Sequence, residues 1–245
     1  MATLLYLVHR MPYPPDKGDK VRSYHLLKHL TARHRVFLGT FIDDPDDERH
    51  VATVAAMTAG LHVARLRPRW ARPASLAGLL SGEALTLRYY ADAGLQRWVD
   101  QTCSRQRIDA VLVFSSTMAQ FVRKLRNVPM LVDFVDVDSA KWDQYASMHR
   151  WPMSWVYRRE GALLLAHERA VAARADHSFF VTENETALFR RLAPECTAMV
   201  ESLSNGVDGE YFSVDPMRTS PFVPGYRTEG ADAHLPLVFT GAMDY

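Results

Sequence analysis

Two stretches of the 245-residue chain hold the residue types that could do chemistry. The first is HRMPYPPDKGDKVRSYHLLKHL (9–30), whose turn, up to Arg22, has four Lys and Arg side chains (Arg10, Lys17, Lys20, Arg22), two carboxylates (Asp16, Asp19) and one glycine, Gly18. A glycine just ahead of a helix leaves free backbone N–H groups and the positive end of the helix dipole open to an anion. Lys17, Lys20 and Arg22 would add charge to such a site, with Asp19 beside them. The loop is not a Walker A motif, because it lacks the second glycine and the Gly-Lys-Ser/Thr ending. It is not a Gly-x-Gly-x-x-Gly dinucleotide fingerprint either. The competing explanation is a solvated, charged turn.

The second stretch, DFVDVDSAKW (133–142), places Asp133, Asp136 and Asp138 at the end of an apolar run. Asp136 and Asp138 share a face by the strand period of two. Such a pair could hold a divalent cation on a nucleotide diphosphate. It could equally supply one acid–base or substrate-binding carboxylate, with the others solvated. Between the two stretches, VFSSTMAQF (113–121) sets Ser115 and Ser116 after another apolar run. N-caps of a following helix would account for both, and hydroxyls turned to a sugar or phosphate are the alternative. The ten histidines make no His-Glu-x-x-His spacing, and no Gly-x-Ser-x-Gly elbow supports a serine hydrolase.

These residues need a frame that brings distant stretches to one edge. Seven short apolar runs recur: 3–9, 35–41, 61–66, 109–115, 130–136, 177–182 and 198–204. Most are nearly continuous, as strands covered on both faces are. Helical patterns lie between them. Ser23, Leu26, Leu27 and Leu30 form one stripe, and 155–175 is rich in Ala, Leu, Arg and Glu. Thr182 and Glu185 have the spacing of a capping box. The alternation predicts an α/β fold, a doubly wound Rossmann-like parallel sheet of about seven strands. Ligands of such sheets bind beyond the C-terminal strand ends, where both stretches would lie.

A hydrophobic content of 48% with 23% charged residues suits a globular chain with a core, and a net charge of +1 argues against a nucleic-acid partner. Cys103 and Cys196 match no metal spacing and read as free thiols of a reducing compartment. No signal peptide or membrane-length run is visible, so a cytoplasmic location is expected. Two aromatic and basic stretches, 65–80 and 141–159, suit a membrane interface or a partly buried helix pair. After residue 215 the composition turns to Pro and Gly (216–236), and LVFTGAMDY (237–245) reads as a new strand. The expected organisation is a first domain over 1–215, a linker over 216–236 and the first strand of a second α/β domain.

With these residues laid out, the chain resembles the N-terminal, acceptor-side domain of a family 4 retaining glycosyltransferase of the two-Rossmann (GT-B) type. The nearest likeness is to the sugar transferases associated with PEP-CTERM/exosortase exopolysaccharide systems. HRMPYPPDKGDKVRSYHLL resembles the family's opening strand and glycine loop, and LVDFVDVDSAKWDQYA the sugar-transferase subgroup. LSNGVDGEYF, with Asn205 and Gly206, resembles the element that ends the first domain. The resemblance implies a nucleotide-sugar donor held mostly by a second domain, and a glycan or lipid-linked acceptor held by the first. It further implies transfer without a metal, and the aromatic and basic stretches leave peripheral contact with the inner membrane face open. Many relatives have a histidine ending the fourth or fifth strand. Here those places read Phe114 and Val135, so Asp136 is the positional candidate for the catalytic group. A sugar-nucleotide epimerase of the same architecture and a non-catalytic interaction module are the competing functions.

Overall fold

A computed structural model of the chain describes residues 1–66, 78 and 82–206. The expected linker and second-domain strand, and nearly all of the aromatic stretch 65–80, lie outside the described residues. Residues Met1–Gly206 form one compact unit.

The described residues hold seven strands: β1 (Thr3–Val8), β2 (Arg35–Ile42), β3 (Gly60–Arg65), β4 (Ala110–Phe114), β5 (Met130–Val135), β6 (His177–Phe180) and β7 (Val200–Ser202). They make one sheet in the order β3-β2-β1-β4-β5-β6-β7, with every neighbouring pair parallel. The helices among the described residues are α1 (Gly18–Thr31), α2 (Val51–Met57), α3 (Leu85–Tyr89), α4 (Ala93–Arg105), α5 (Asp138–Met148), α6 (Met153–Ala172) and α7 (Glu183–Leu192). The expected α/β sheet is therefore the fold observed.

Burial on both faces explains the continuous apolar runs. Along β1, Leu5 and Leu7 join one core cluster, while Leu4, Tyr6 and Val8 join the other. One residue's step along the strand changes the face, as the period of two requires. The helix pair α5 and α6 packs over one edge of the rim, and α6 reaches back across the sheet with Leu164 fully buried.

Strand order reverses between β1 and β4, because the chain leaves β1 toward β2 and β3 and returns on the other side. Such a switch point opens a crevice at the C-terminal strand ends, since the connections on either side run away from each other. The loop after β1 is tied down across this crevice. The His9 N–H donates to the Phe114 carbonyl (2.9 Å), and the Met11 N–H donates to the Phe41 carbonyl (2.8 Å).

Candidate functional site

A cavity of about 350 Å³ opens at the switch point. Its lining comes from the ends of β1 (His9), β4 (Phe114, Ser115) and β5 (Val135, Asp136), with Asp19 from the first turn of α1. Helices α3 and α5 supply the walls through Thr86 and Tyr90 on one side and Asp138, Lys141, Trp142 and Tyr145 on the other. The β5 end is shaped for this purpose. Val135 has a φ of 69°, and the β5–β6 register shifts between Asp133 and Val135. A left-handed conformation in a β-branched residue costs on the order of 1–3 kcal/mol, and such departures cluster at functional sites.

Of the expected site residues, Asp19, Ser115 and Asp136 line this cavity. The Asp19 Oδ2 accepts from the Arg10 guanidinium at 2.8 Å and lies 3.5 Å from His9 Nε2. Burial alone would raise its carboxyl. The hydrogen bond from His9 and the charge of Arg10 nevertheless hold it well below the usual carboxylate range. Asp19 is thus a fixed negative acceptor and a poor proton carrier. Asp136 and Asp138 converge on one cation, with Lys141 Nζ 2.9 Å from Asp136 Oδ2 and 3.0 Å from Asp138 Oδ1. Burial would lower the Lys141 ammonium, but the two carboxylates outweigh it and hold its pKa above the usual lysine range. The aspartate pair read as a cation clamp is bridged by Lys141 from the first turn of α5. Among the described residues no group of three or more His, Cys, Asp or Glu converges as metal ligands.

Most of the opening loop's charge is neutralised within the fold. Lys20 is a correction of place: it is buried in an ion pair and is not on the cavity wall. Its ammonium is 1% exposed and lies 2.8 and 2.9 Å from the two Asp47 oxygens, with Asp16 at 3.5 Å. Arg22 also turns inward, pairing with Asp133 at 2.7 Å and donating to the exposed Asn205 side chain at 3.0 Å. Its Nη2 is buried without a hydrogen-bond partner. Arg10 bridges Asp19 and Asp43. Of the loop's four Lys and Arg side chains only Lys17, the exposed residue ahead of α1, is without an ion pair among the described residues. The knot of charge that opens the chain thus ties α1 to β5 and to the segment after β2. Gly18 starts α1 facing open space, with nothing within 4 Å of where a Cβ would stand, and Gly206 is equally open. Neither glycine is demanded by the fold itself.

Ser116 is a second correction. It is buried outside the cavity wall, and its carbonyl lies 3.0 Å from His167 Nε2. The expected serine caps are absent as well. The segment Ser116–Val122 is a 3₁₀ helix without a side-chain cap, and the Ser115 hydroxyl instead pairs with the Thr117 hydroxyl at 3.2 Å.

Sequence reasoning missed His9, Tyr90, Lys141, Trp142 and Tyr145. His9 is stacked on Phe114 with ring centroids 5.7 Å apart. Its one legible signal was its position, directly after the first apolar run. The one histidine ring of the cavity wall thus comes from the end of β1, while the ends of β4 and β5 carry Phe114 and Val135. Asp138, Lys141, Trp142 and Tyr145 fall at i, i+3, i+4 and i+7, the spacing of one helical face.

Three carboxylates (Asp19, Asp136, Asp138) and one ammonium, that of Lys141, line the cavity beside the rings of Tyr90, Trp142 and Tyr145. Such a cavity suits a neutral polyol, whose hydroxyls donate to carboxylates and whose C–H faces pack on aromatic rings. It suits a diphosphate poorly, because like charges in a partly buried site repel.

Residues 18–200 match the family described as glycosyl transferase 4-like domain. No curated protein sequence matches the chain. Among solved structures, the Candida albicans trehalose-6-phosphate phosphatase N-terminal domain aligns at 12% identity and a TM-score of 0.49, over 86% of this chain and 50% of that one. Glycyrrhiza uralensis UGT73P12, complexed with glycyrrhetinic acid 3-O-monoglucuronide, aligns at 12% identity and a TM-score of 0.44, over 84% and 49%. Acinetobacter baumannii MurG aligns at 9% identity and a TM-score of 0.30, over 86% and 70%. The chain thus spans about half the length of the first two of these structures. With its match running from the start of α1 to the start of β7, the chain belongs to the glycosyl transferase 4-like domain family.

Proposed function

We propose that this chain is the acceptor-binding half of a retaining glycosyltransferase. It would take a sugar from a nucleotide-sugar donor, held mainly by a second domain, and pass it to a glycan or lipid-linked acceptor in exopolysaccharide assembly. The reaction would need no metal, and the enzyme would work in the cytoplasm at the inner membrane face. The observation that carries this reading is the cavity at the β1–β4 switch point, with its excess of carboxylate and its aromatic wall. That chemistry matches a neutral acceptor sugar better than a donor diphosphate.

Within the cavity, Asp136 is the candidate catalytic carboxylate, orienting the acceptor hydroxyl from the end of β5. Asp19 accepts from a neighbouring hydroxyl and, held so firmly as an anion, does not carry a proton. Ser115 and Thr117 offer further hydroxyl contacts. Lys17, Gly18, Asn205 and Gly206 are exposed on the same rim and fall to contacts outside the cavity.

Calorimetry on residues 1–245 tests the division of labour. Oligosaccharides should bind, and Asp136→Asn should weaken them, while nucleotide sugars should bind feebly. Tight nucleotide-sugar binding with no response to glycans would overturn the assignment.

A further inference from the structure

The turn between α5 and α6 is the most apolar exposed part of the described surface. Met148 is 77% exposed, Trp151 81% and Trp155 52%, with Tyr145 and Met153 also exposed. Solvated indoles at a helix turn lose favourable burial, so their concentration at one tip calls for an occupant. The tip is also cationic. Arg150 and Arg158 are exposed and have no ion-pair partner among the described residues, and Asp143 is the one acid between Trp142 and Arg159. The third arginine there, Arg159, is turned inward to the Gly78 and Glu83 carbonyls.

An aromatic ladder links this tip to the cavity. The Trp142 ring lies 5.5 Å from Tyr157 and 5.9 Å from Tyr145, and Tyr157 lies 5.0 Å from His149. Trp142 and Tyr145 are themselves cavity wall. No helix among the described residues is long and apolar enough to cross a membrane.

We propose that the α5–α6 tip, through Met148, Trp151 and Trp155 flanked by Arg150 and Arg158, docks on an anionic lipid bilayer and brings the adjoining cavity to lipid-linked acceptors. The second half of this inference rests on the acceptor reading above. Charge complementarity selects the occupant. Unpaired arginines beside tryptophans fit a headgroup layer, where the indole lies at the apolar boundary and the guanidinium at the phosphates.

The test uses the full chain with vesicles of phosphatidylcholine, alone or mixed with phosphatidylglycerol. Co-sedimentation and a blue shift of tryptophan emission should appear with the anionic mixture and weaken as salt rises. Each of Arg150→Gln and Arg158→Gln should lower the partition coefficient ~5-fold. Trp151→Ser should lower it roughly 10-fold through lost apolar contact, and Trp155→Ser serves as a second variant should the first misfold. Equal binding to both vesicle types, no binding, or variants that bind as well as the parent would overturn the docking. A concentration-dependent dimer abolished by Trp151→Ser would assign the tip to a second copy instead. Glycan calorimetry on the same samples separates the two claims. Lost vesicle binding with intact glycan binding concerns the tip alone, and intact vesicle binding without glycan binding refutes only the acceptor cavity.

Discussion

Replacing Lys20 with alanine should weaken the fold and leave ligand binding nearly untouched. The ammonium is 1% exposed and bonded to both oxygens of Asp47, whose own side chain is 5% exposed. Removing one member of a buried pair costs about 3–5 kcal/mol, because the other charge is left desolvated and unpaired. Asp47 cannot reach water without moving the 3₁₀ segment Pro45–His50, which follows β2. The second partner, Asp16, is largely exposed and adds little, so the lower end of that range, ~3 kcal/mol, is expected. For a unit of this size, a Tm loss of roughly 6–12 °C follows. Urea unfolding followed by circular dichroism measures the cost, and glycan calorimetry on the same sample checks the cavity. The pair Lys20→Met with Asp47→Asn should recover part of the loss, because it leaves no orphan charge. A Lys20→Ala variant within 1 kcal/mol of the parent would refute the reasoning. So would one of normal stability that had lost ligand affinity.

Three further outcomes are expected. Burial pushes Glu168 up to about 8 from an ordinary 4.5, so the native state keeps a proton that the unfolded chain gives up. The stability it contributes is complete below about pH 4.5 and is lost as pH rises through about 8; melts over roughly pH 5–9 should show the decline, and Glu168→Gln should flatten it. Gly39→Ala would set a Cβ 2.8 Å from Leu7 Cδ2 and 2.9 Å from Leu95 Cδ1, an overpacked core that should cost ~1–3 kcal/mol in denaturant titration. Trp142→Ala should weaken glycan binding about 10-fold with little change in Tm, since ring contacts of this kind contribute about 0.5–1.5 kcal/mol; an unchanged affinity would remove Trp142 from the site.

The frame was legible because its signal is local and repeated. Both faces of the sheet are covered, so each strand announced itself as an apolar run, and each of the seven runs became a strand. The long helix was read over 155–175 and lies at Met153–Ala172. Partnerships were not legible, because they join residues that no period relates. Lys20 finds Asp47 twenty-seven positions away, and Arg22 finds Asp133 across 111. Until those partners are known, a basic loop before a helix looks like an anion site. The capping box shows the same limit on a smaller scale. Thr182 does accept from the Glu185 N–H, but the Glu185 carboxylate accepts from the Val137 N–H at 2.7 Å instead of closing the box. A tertiary donor replaced the local one, just beside Asp136.

Two buried glutamates of α6 explain how a cavity built from so many elements keeps its shape. Glu160 accepts from the Leu85 and Thr86 N–H groups at 2.6 and 2.8 Å and from the Thr86 hydroxyl at 2.7 Å, which fixes the start of α3. Glu168 accepts from the Ser139 N–H at 3.2 Å and its hydroxyl at 2.5 Å, which fixes the start of α5. Eight residues of helix separate the two by about 12 Å, and Leu164, midway between them, lines the cavity. Thr86 and Tyr90 form one wall and Asp138, Lys141 and Trp142 the other, so the width of the cavity is set by a single rigid helix. The first turn of that helix carries Trp155, at the proposed lipid-docking tip. A displacement of the tip would therefore be carried along α6 to both walls, because buried hydrogen-bonded carboxyl groups cannot slide without leaving donors unsatisfied.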